Sequence, residues 1–139
     1  MLSCVTVYAS RPGGPVRGSR PAPALVTAVS TAGGADRAIA EGADLIDVAR
    51  LPEAAVAAIR DRHGADRLWT GSPAAVDADS VAAGVADSPA AVVAAAAIGT
   101  WLGAPAIRTQ HVVPVRRAID MTLAIAGGRL PALTTRGLA

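Results

Sequence analysis

Short apolar runs alternate with longer segments of helical character from residue 25 to residue 128. The apolar runs are typical of buried strands. They cover residues 25–30, 44–49, 66–71 and 105–110. The segments of helical character cover residues 33–43, 51–64, 89–104 and 113–128. Because continuous apolar strands alternate with helices, the pattern predicts an α/β domain of parallel βα units with a sheet covered on both faces.

Two serine–proline pairs mark predicted helix starts, because a serine side chain caps free amide groups and proline fits the first helical position. These pairs are Ser72 with Pro73 and Ser88 with Pro89. Gly64 is expected to end the helix before it, since glycine adopts the left-handed conformation of a helix C-terminus at little cost.

The chain has 139 residues, which suits one domain but is too short for a complete eight-stranded βα barrel of about 250 residues. The predicted α/β domain spans residues 25–128. Residues 1–24 are expected to hold a strand at 2–9 and then a linker rich in Pro, Gly and Arg. Residues 129–139 are expected to form a tail.

The charged and sulfur-containing residues exclude several classes of function. All 13 basic residues are arginines, so the chain lacks the lysine of a phosphate-binding loop or of a Schiff base. Nucleic-acid binders usually combine a basic stripe with stacking aromatic residues, whereas here the net charge is +2 and aromatic residues make up 2%. Cys4 is the single cysteine and cannot form an intrachain disulfide. No segment is typical of a membrane helix or a signal peptide, so a cytoplasmic protein without membrane or nucleic-acid partners is expected.

Two segments resemble dihydropteroate synthase, a pterin-binding βα barrel of folate synthesis. In residues 24–49, a strand and a helix lead through a Gly-Ala turn to L-I-D-V-A, similar to a family strand that reads roughly I-D-V-G-G-E-S. Residues 89–125 are similar to the family's last two helices around a strand that reads roughly V-R-V-H-D-V, with I-R-T-Q-H-V at 107–112. The resemblance implies a truncated or partial TIM-barrel-like fold.

The chain departs from the family's pattern at several functional positions. The family's T-P-D-S-F-S-D-G-G loop, which helps to hold magnesium diphosphate, is replaced by S-T-A-G-G at residues 30–34. The family's G-G-E-S corresponds to A-R-L-P at residues 49–52. The central strands, with the pterin-binding Asp and Asn and the lysine of S-R-K, have no counterpart.

Three residues remain as candidate ligand-binding or anion-binding groups. Asp47 matches the Asp of the family's I-D-V strand, and Arg108 matches the Arg of its last strand. His111 lies one position beyond Gln110, which takes the position of the family's His. If their strands are neighbours, as the first and last strands of a closed barrel are, Asp47 and Arg108 lie at the same open end of the barrel. The alternatives are that Arg108 pairs with a carboxylate, and that Asp47 caps the next helix or pairs with Arg50. No metal site and no cofactor are expected.

Several other polar or aromatic residues have ordinary structural interpretations. Carboxylates near helix starts are common, because they interact favourably with the helix dipole, and histidine is favoured at the opposite end. The residues interpreted in this way are Asp77, Asp79, Asp87 and His63. Trp69 and Trp101 are interpreted as core residues.

The missing loop and lysine favour a degenerate, non-catalytic protein that acts as a partner, regulatory or small-ligand-binding subunit. The alternative is a minimal folate-pathway transferase that binds a pterin diphosphate or another phosphorylated small molecule.

An incomplete barrel exposes strand edges and apolar helix faces, which predicts a homodimer or a heteromer with a larger relative. Helix 89–102 is expected at or near the interface, as the late helices are in the resembled family. Its apolar stripe comprises Ala90, Val93, Ala94, Ala97, Ile98 and Trp101. The alternative is that other helices of the same chain cover this stripe.

Overall fold

A computed structural model describes residues 21–71, 74–86 and 88–127. The strands are β1 (Ala24–Ala28), β2 (Leu45–Asp47), β3 (Leu68–Trp69), β4 (Val76–Asp77) and β5 (Ala106–Arg108). The helices are α1 (Ala32–Ala40), α2 (Glu53–His63), α3 (Ala78–Ala86), α4 (Pro89–Trp101) and α5 (Val112–Ile125). The predicted α/β class with parallel βα units is therefore confirmed.

The five strands form one parallel sheet in the order β3-β2-β1-β5-β4. The central strand β1 pairs with β2 on one side and with β5 on the other, so that Leu25 lies opposite Ile107. β3 and β4 lie at opposite edges, although only residues 70–75 connect them. The first and last described strands are thus neighbours in space.

The two faces of the sheet carry different clusters of buried side chains. Leu25, Ile46 and Ile107 point to one face, where each of the five helices contributes apolar residues to the main core. The opposite face, termed the second face, has a smaller cluster. It consists of Ala24, Val26 and Ala106 with Leu45, Trp69 and Ala75 packed against them. In the described part of the chain the helices therefore pack on one face, whereas the sequence predicted a sheet covered on both.

The helix ends follow the capping rules in several places. The Ser88 side chain accepts a hydrogen bond from the Ala91 amide at 3.2 Å, and Pro89 begins α4, as predicted. Gly64 follows α2 with a φ of 90°, which confirms the predicted end of that helix. The Thr31 side chain accepts a hydrogen bond from the Gly34 amide at 3.0 Å and caps α1.

The region before α3 differs from the prediction. Ser72 and Pro73 lie outside the described residues, and α3 begins at Ala78, immediately after β4. The sequence did not predict β4, because a strand of two residues is too short to show a period. This strand matters for function because it ends in Asp77.

Glycine allows α4 to lie close against the sheet. A Cβ atom at Gly99 would come within 2.9 Å of the Ile107 Cδ1 atom, which is closer than real contacts allow. The buried side of α4 comprises Val92, Ala95, Ala96, Gly99 and Thr100. Small residues on this side therefore set the distance between α4 and β5.

The predicted N-terminal strand at 2–9, most of the predicted linker and the predicted tail at 129–139 lie outside the described residues. Among the helices of the described ranges, none combines the length and apolarity needed to cross a membrane.

Candidate functional site

Four side chains with polar or aromatic groups lie at the carboxyl ends of the strands on the second face. Side chains alternate between the faces of a strand, so residues next to Ile46, Leu68, Val76 and Ile107 of the main core point the other way. These residues are Asp47, Trp69, Asp77 and Arg108. In the strand register, Asp47 lies opposite Trp69, and Asp77 lies opposite Arg108.

Arg108 joins two of these strands through its guanidinium group. Its Nε atom donates a hydrogen bond to Asp47 Oδ2 at 2.9 Å, and its Nη1 atom donates one to Asp77 Oδ2 at 2.8 Å. The side chains are partly exposed, at 31% for Arg108 and 13% for Asp47. The carboxylate pairing that the sequence left open for Arg108 is therefore present twice.

The contact with Asp47 crosses the central strand. β2 and β5 do not pair with each other because β1 lies between them, so their separation is two strand spacings, or about 9.6 Å. Ala28, which lies opposite Asp47 in the register, has only a methyl group at this level of β1. A long side chain from β5 can therefore pass over β1 and reach Asp47.

Backbone amides hold both carboxylates in place. Asp47 Oδ1 accepts a hydrogen bond from the Ala49 amide at 3.0 Å, and Asp77 Oδ1 accepts one from the Ser80 amide at 3.0 Å. Each aspartate thus directs one oxygen to its own backbone and the other to Arg108. This arrangement fixes the positions of all three charged groups.

The hydrogen bonds also shift the titration of the site. Partial burial raises the pKa of the Asp77 carboxyl, but the hydrogen bonds from the Ser80 amide and from Arg108 lower this pKa by more, to below its ordinary value. Burial lowers the pKa of the Arg108 guanidinium, whereas its bonds to Asp47 and Asp77 raise it above the ordinary value. The charged forms of Asp77 and Arg108 therefore stabilise each other.

A third aspartate fixes the loop that follows β5. Asp79 Oδ1 accepts a hydrogen bond from the Thr109 hydroxyl at 2.8 Å, and Asp79 Oδ2 accepts one from the Gln110 amide at 2.6 Å. The Thr109 hydroxyl in turn accepts a hydrogen bond from the His111 amide at 3.0 Å. His111 is exposed at the N-cap position of α5, and its contact with Thr109 is made by the backbone.

The charged residues in these hydrogen bonds have a negative net charge, although the chain as a whole has a net charge of +2. Asp47 and Asp77 contribute two negative charges and Arg108 one positive charge, which leaves −1, and Asp79 brings the total to −2. An anion that approaches Arg108 meets two carboxylates already bound to it. The sequence predicted that Asp47 and Arg108 lie close together, and their role in ligand binding stays a prediction.

Asp77 and Asp79 are the residues that sequence reasoning missed as members of this site. Val76-Asp77 and Ile46-Asp47 share one pattern, but a pair of residues is too short to identify a strand end, since Ile119-Asp120 has the same pattern within α5. In the two strand pairs a branched apolar residue precedes an aspartate at the carboxyl end of a strand. Among residues 21–71, 74–86 and 88–127, no group of three or more His, Cys, Asp or Glu side chains is arranged to hold a metal ion.

A second polar cluster lies at the amino ends of the same strands. The buried Arg116 of α5 donates a hydrogen bond to the Gly42 carbonyl at 3.0 Å and pairs with Asp44. Asp44 also accepts a hydrogen bond from the Leu25 amide at 2.9 Å. In βα folds, ligands bind at the carboxyl ends of strands, so we assign this cluster to stability.

The outer surface of α4 and α5 is apolar. Four of its large side chains are between 59% and 76% exposed, namely Ile98, Leu102, Met121 and Ile125. A groove of about 340 Å³ lies between the two helices. Its lining consists of Ala97, Ile98, Trp101, Leu102, Thr122 and Ile125. The stripe singled out from the sequence thus faces largely outward in the described part of the chain, with Ala90, Ala94, Ile98 and Trp101 exposed.

No protein-family model matches this chain, and neither the curated proteins nor the solved structures contain a significantly similar one. The resemblance to dihydropteroate synthase therefore rests on the two sequence segments alone.

Proposed function

We propose that this chain is a degenerate, non-catalytic relative of dihydropteroate synthase that acts in the cytoplasm as a partner or regulatory subunit and retains a small ligand-binding site. The observation that carries the proposal is that both Asp47 and Asp77 bind Arg108. The guanidinium that could stabilise a departing diphosphate is already neutralised.

The strand order supports a derivation from a barrel. In an eight-stranded βα barrel the first and last strands are neighbours, and their junction is termed the seam. The five strands around the seam lie in the order third, second, first, eighth and seventh. The observed order β3-β2-β1-β5-β4 follows if the three central βα units are absent. The two segments that resemble the family contain β1 and β2 in one case and β5 in the other, on either side of this seam.

The chemistry of the site supports the non-catalytic role. Displacement of diphosphate from a pterin requires several donors or a metal ion to stabilise the leaving group. The Nε and Nη1 atoms of Arg108, the candidate group for this role, already donate hydrogen bonds to aspartates. The negative local charge opposes the binding of a diphosphate.

The apolar surface supports the role of a partner subunit. Large apolar patches on a protein surface usually mark sites of association. Ile98 of α4 and Leu102, which follows this helix, are flanked by Met121 and Ile125 of α5, and α4 contains no charged residue. We propose that this surface joins the chain to a second copy or to a larger relative.

A pared-down enzyme is the second candidate, and one observation favours it. Asp47, Arg108 and Trp69 lie together at the strand ends, where carboxylates could accept hydrogen bonds from a pterin and an indole ring could contact its plane. In this case the ligand would be a pterin or another phosphorylated small molecule.

An assay of dihydropteroate formation tests the proposal. The purified chain is expected to give no turnover of pterin diphosphate and p-aminobenzoate above the uncatalysed rate. Turnover that Arg108→Ala abolishes would establish the second candidate instead. The assay is repeated after the addition of a complete synthase, because a regulatory subunit is expected to change the rate of that enzyme or to co-sediment with it.

A further inference from the structure

We propose that Asp47 and Asp77 form an intramolecular lock on Arg108 that keeps the site closed to free anions. The inference rests on the proposed function, because it describes how the retained ligand-binding site is regulated. It goes further by assigning an autoinhibitory role to the two carboxylates.

The first argument is the geometry of the guanidinium. An arginine holds a carboxylate or a phosphate most strongly through two parallel hydrogen bonds from neighbouring nitrogen atoms. Arg108 uses Nε for Asp47 and Nη1 for Asp77. A side-on pair needs the single N–H of Nε, which Asp47 accepts, and an end-on pair uses the Nη1 atom that also donates to Asp77, so either arrangement brings the anion against an aspartate.

The second argument is the anchoring of the aspartates. The Ala49 amide holds Asp47 at 3.0 Å, and the Ser80 amide holds Asp77 at 3.0 Å. Displacement of a carboxylate from Arg108 therefore also disturbs a hydrogen bond to the backbone. The carboxylates come from β2 and β4, on both sides of Arg108, so an anion that approaches along the sheet from either side meets one of them.

The third argument is charge. Arg108 with its two aspartates has a net charge of −1, and replacement of both aspartates by asparagine changes this to +1 without a change of shape. Asparagine keeps one acceptor oxygen, which can face the backbone amide, while its NH2 group takes the place of the oxygen that faces the guanidinium and cannot accept a hydrogen bond from it. The substitution thus separates the lock from the structural role of these residues.

The test compares how tightly the full chain and its variants bind inorganic phosphate and inorganic diphosphate. Binding is measured by calorimetry and by the NMR signal of the Arg108 Nε–H group. The wild-type protein is expected to show no saturable binding in the millimolar range. Asp47→Asn with Asp77→Asn is expected to bind at least about tenfold more tightly, and the further change Arg108→Gln is expected to abolish this binding.

A matched control changes the net charge equally at a distance from the site. Asp61→Asn with Asp66→Asn alters two exposed carboxylates that precede β3, at the amino end of the sheet, and is expected to behave like the wild type. If the double variant of Asp47 and Asp77 does not fold, each single variant is expected to bind more tightly than the wild type.

Two results would overturn the lock. One is binding by the wild type that equals that of the unlocked variant. The other is a folded unlocked variant, or a pair of folded single variants, that binds no better than the wild type. Failure of the lock and failure of the proposed function are distinguishable, because phosphate binding by the wild type without turnover overturns the lock alone, whereas turnover in the synthase assay overturns the proposal of a non-catalytic subunit.

Discussion

The side chains of Asp47 and Arg108 meet at 2.9 Å across the central strand, although 61 residues separate them in the sequence. The contact connects the first half of the sheet to the second, because Asp47 ends β2 and Arg108 ends β5. A second contact of Arg108, to Asp77, connects β5 to the edge strand β4. The Arg108 side chain therefore connects three strands. Its removal would leave the Asp47 and Asp77 carboxylates without this cation.

We expect Arg108→Ala to lower the free energy of unfolding by about 1–2 kcal/mol, because hydrogen bonds between charged groups are lost while partial solvent exposure limits the effect. Urea unfolding measures the change. Arg117→Ala is the control, since Arg117 is exposed on α5, and is expected to stay within about 0.5 kcal/mol of the wild type. Equal unfolding midpoints for the two variants would contradict the structural role of Arg108.

The stability that Asp77 contributes is expected to depend on pH. The folded protein holds the pKa of Asp77 below the ordinary value of 3.8, so its contribution is fully present above that value and is lost as the pH falls through the lowered pKa. The difference in unfolding free energy between the wild type and Asp77→Asn should therefore shrink in acid. Chemical unfolding at a series of pH values measures this difference.

A double-mutant cycle identifies the source of the pH dependence. In an Arg108→Gln background, the effect of Asp77→Asn should be smaller and less dependent on pH, because the hydrogen bond from the guanidinium is already absent. An unchanged effect in that background would assign the lowered pKa to the Ser80 amide alone.

The apolar stripe of α4 is expected to hold a dimer together. Ala94→Glu with Ala97→Glu introduces two charges into this surface and should shift the chain from dimer to monomer in sedimentation experiments at tens of micromolar. Ala54→Glu with Ala58→Glu provides a matched control, since these alanines are exposed on α2. A wild-type chain that sediments as a monomer would refute self-association, and a dimer that survives the α4 changes would place the interface elsewhere.

Two helical glycines should respond to alanine in opposite ways. At Gly99 the new methyl group would meet Ile107 Cδ1 at 2.9 Å, and overpacking of this kind costs about 1–3 kcal/mol. At Gly84 of α3 the new methyl group meets nothing within 4 Å, so the better helix propensity of alanine should stabilise the protein by up to about 1 kcal/mol. Thermal unfolding of both variants checks the contrast, and a stabilising Gly99→Ala would show that α4 can move away from β5.

The strands with long apolar runs were predictable from the sequence, and the short edge strand was not. The predicted strand at 105–110 contains β5, and the predicted helix start at Ser88 is correct, because these segments have clear periodicity and capping signals. β4 consists only of Val76 and Asp77 within an alanine-rich stretch and carries no such signal.

The composition of the candidate site was predictable only in part for the same reason. Asp47 and Arg108 could be brought together because both end strands that are neighbours of β1 in a barrel-like order. The position of Asp77 depends on the chain passing from one edge of the sheet to the other between β3 and β4. Local sequence does not encode this change of edge, so only the fold shows that Asp77 is the second partner of Arg108.

The pairing of β1 with β5 also has a consequence for synthesis on the ribosome. Leu25 and its register partner Ile107 are 82 residues apart. At a synthesis rate of about 5–20 residues per second, one edge of the central strand therefore stays unpaired for roughly 4–16 seconds until β5 has been synthesised. During that interval the apolar segment A-L-V-T-A of β1 has an unpaired edge, which is the kind of surface that recruits other chains. The nascent protein is therefore most vulnerable to aggregation before β5 emerges, and chaperone binding to β1 should be strongest in that period.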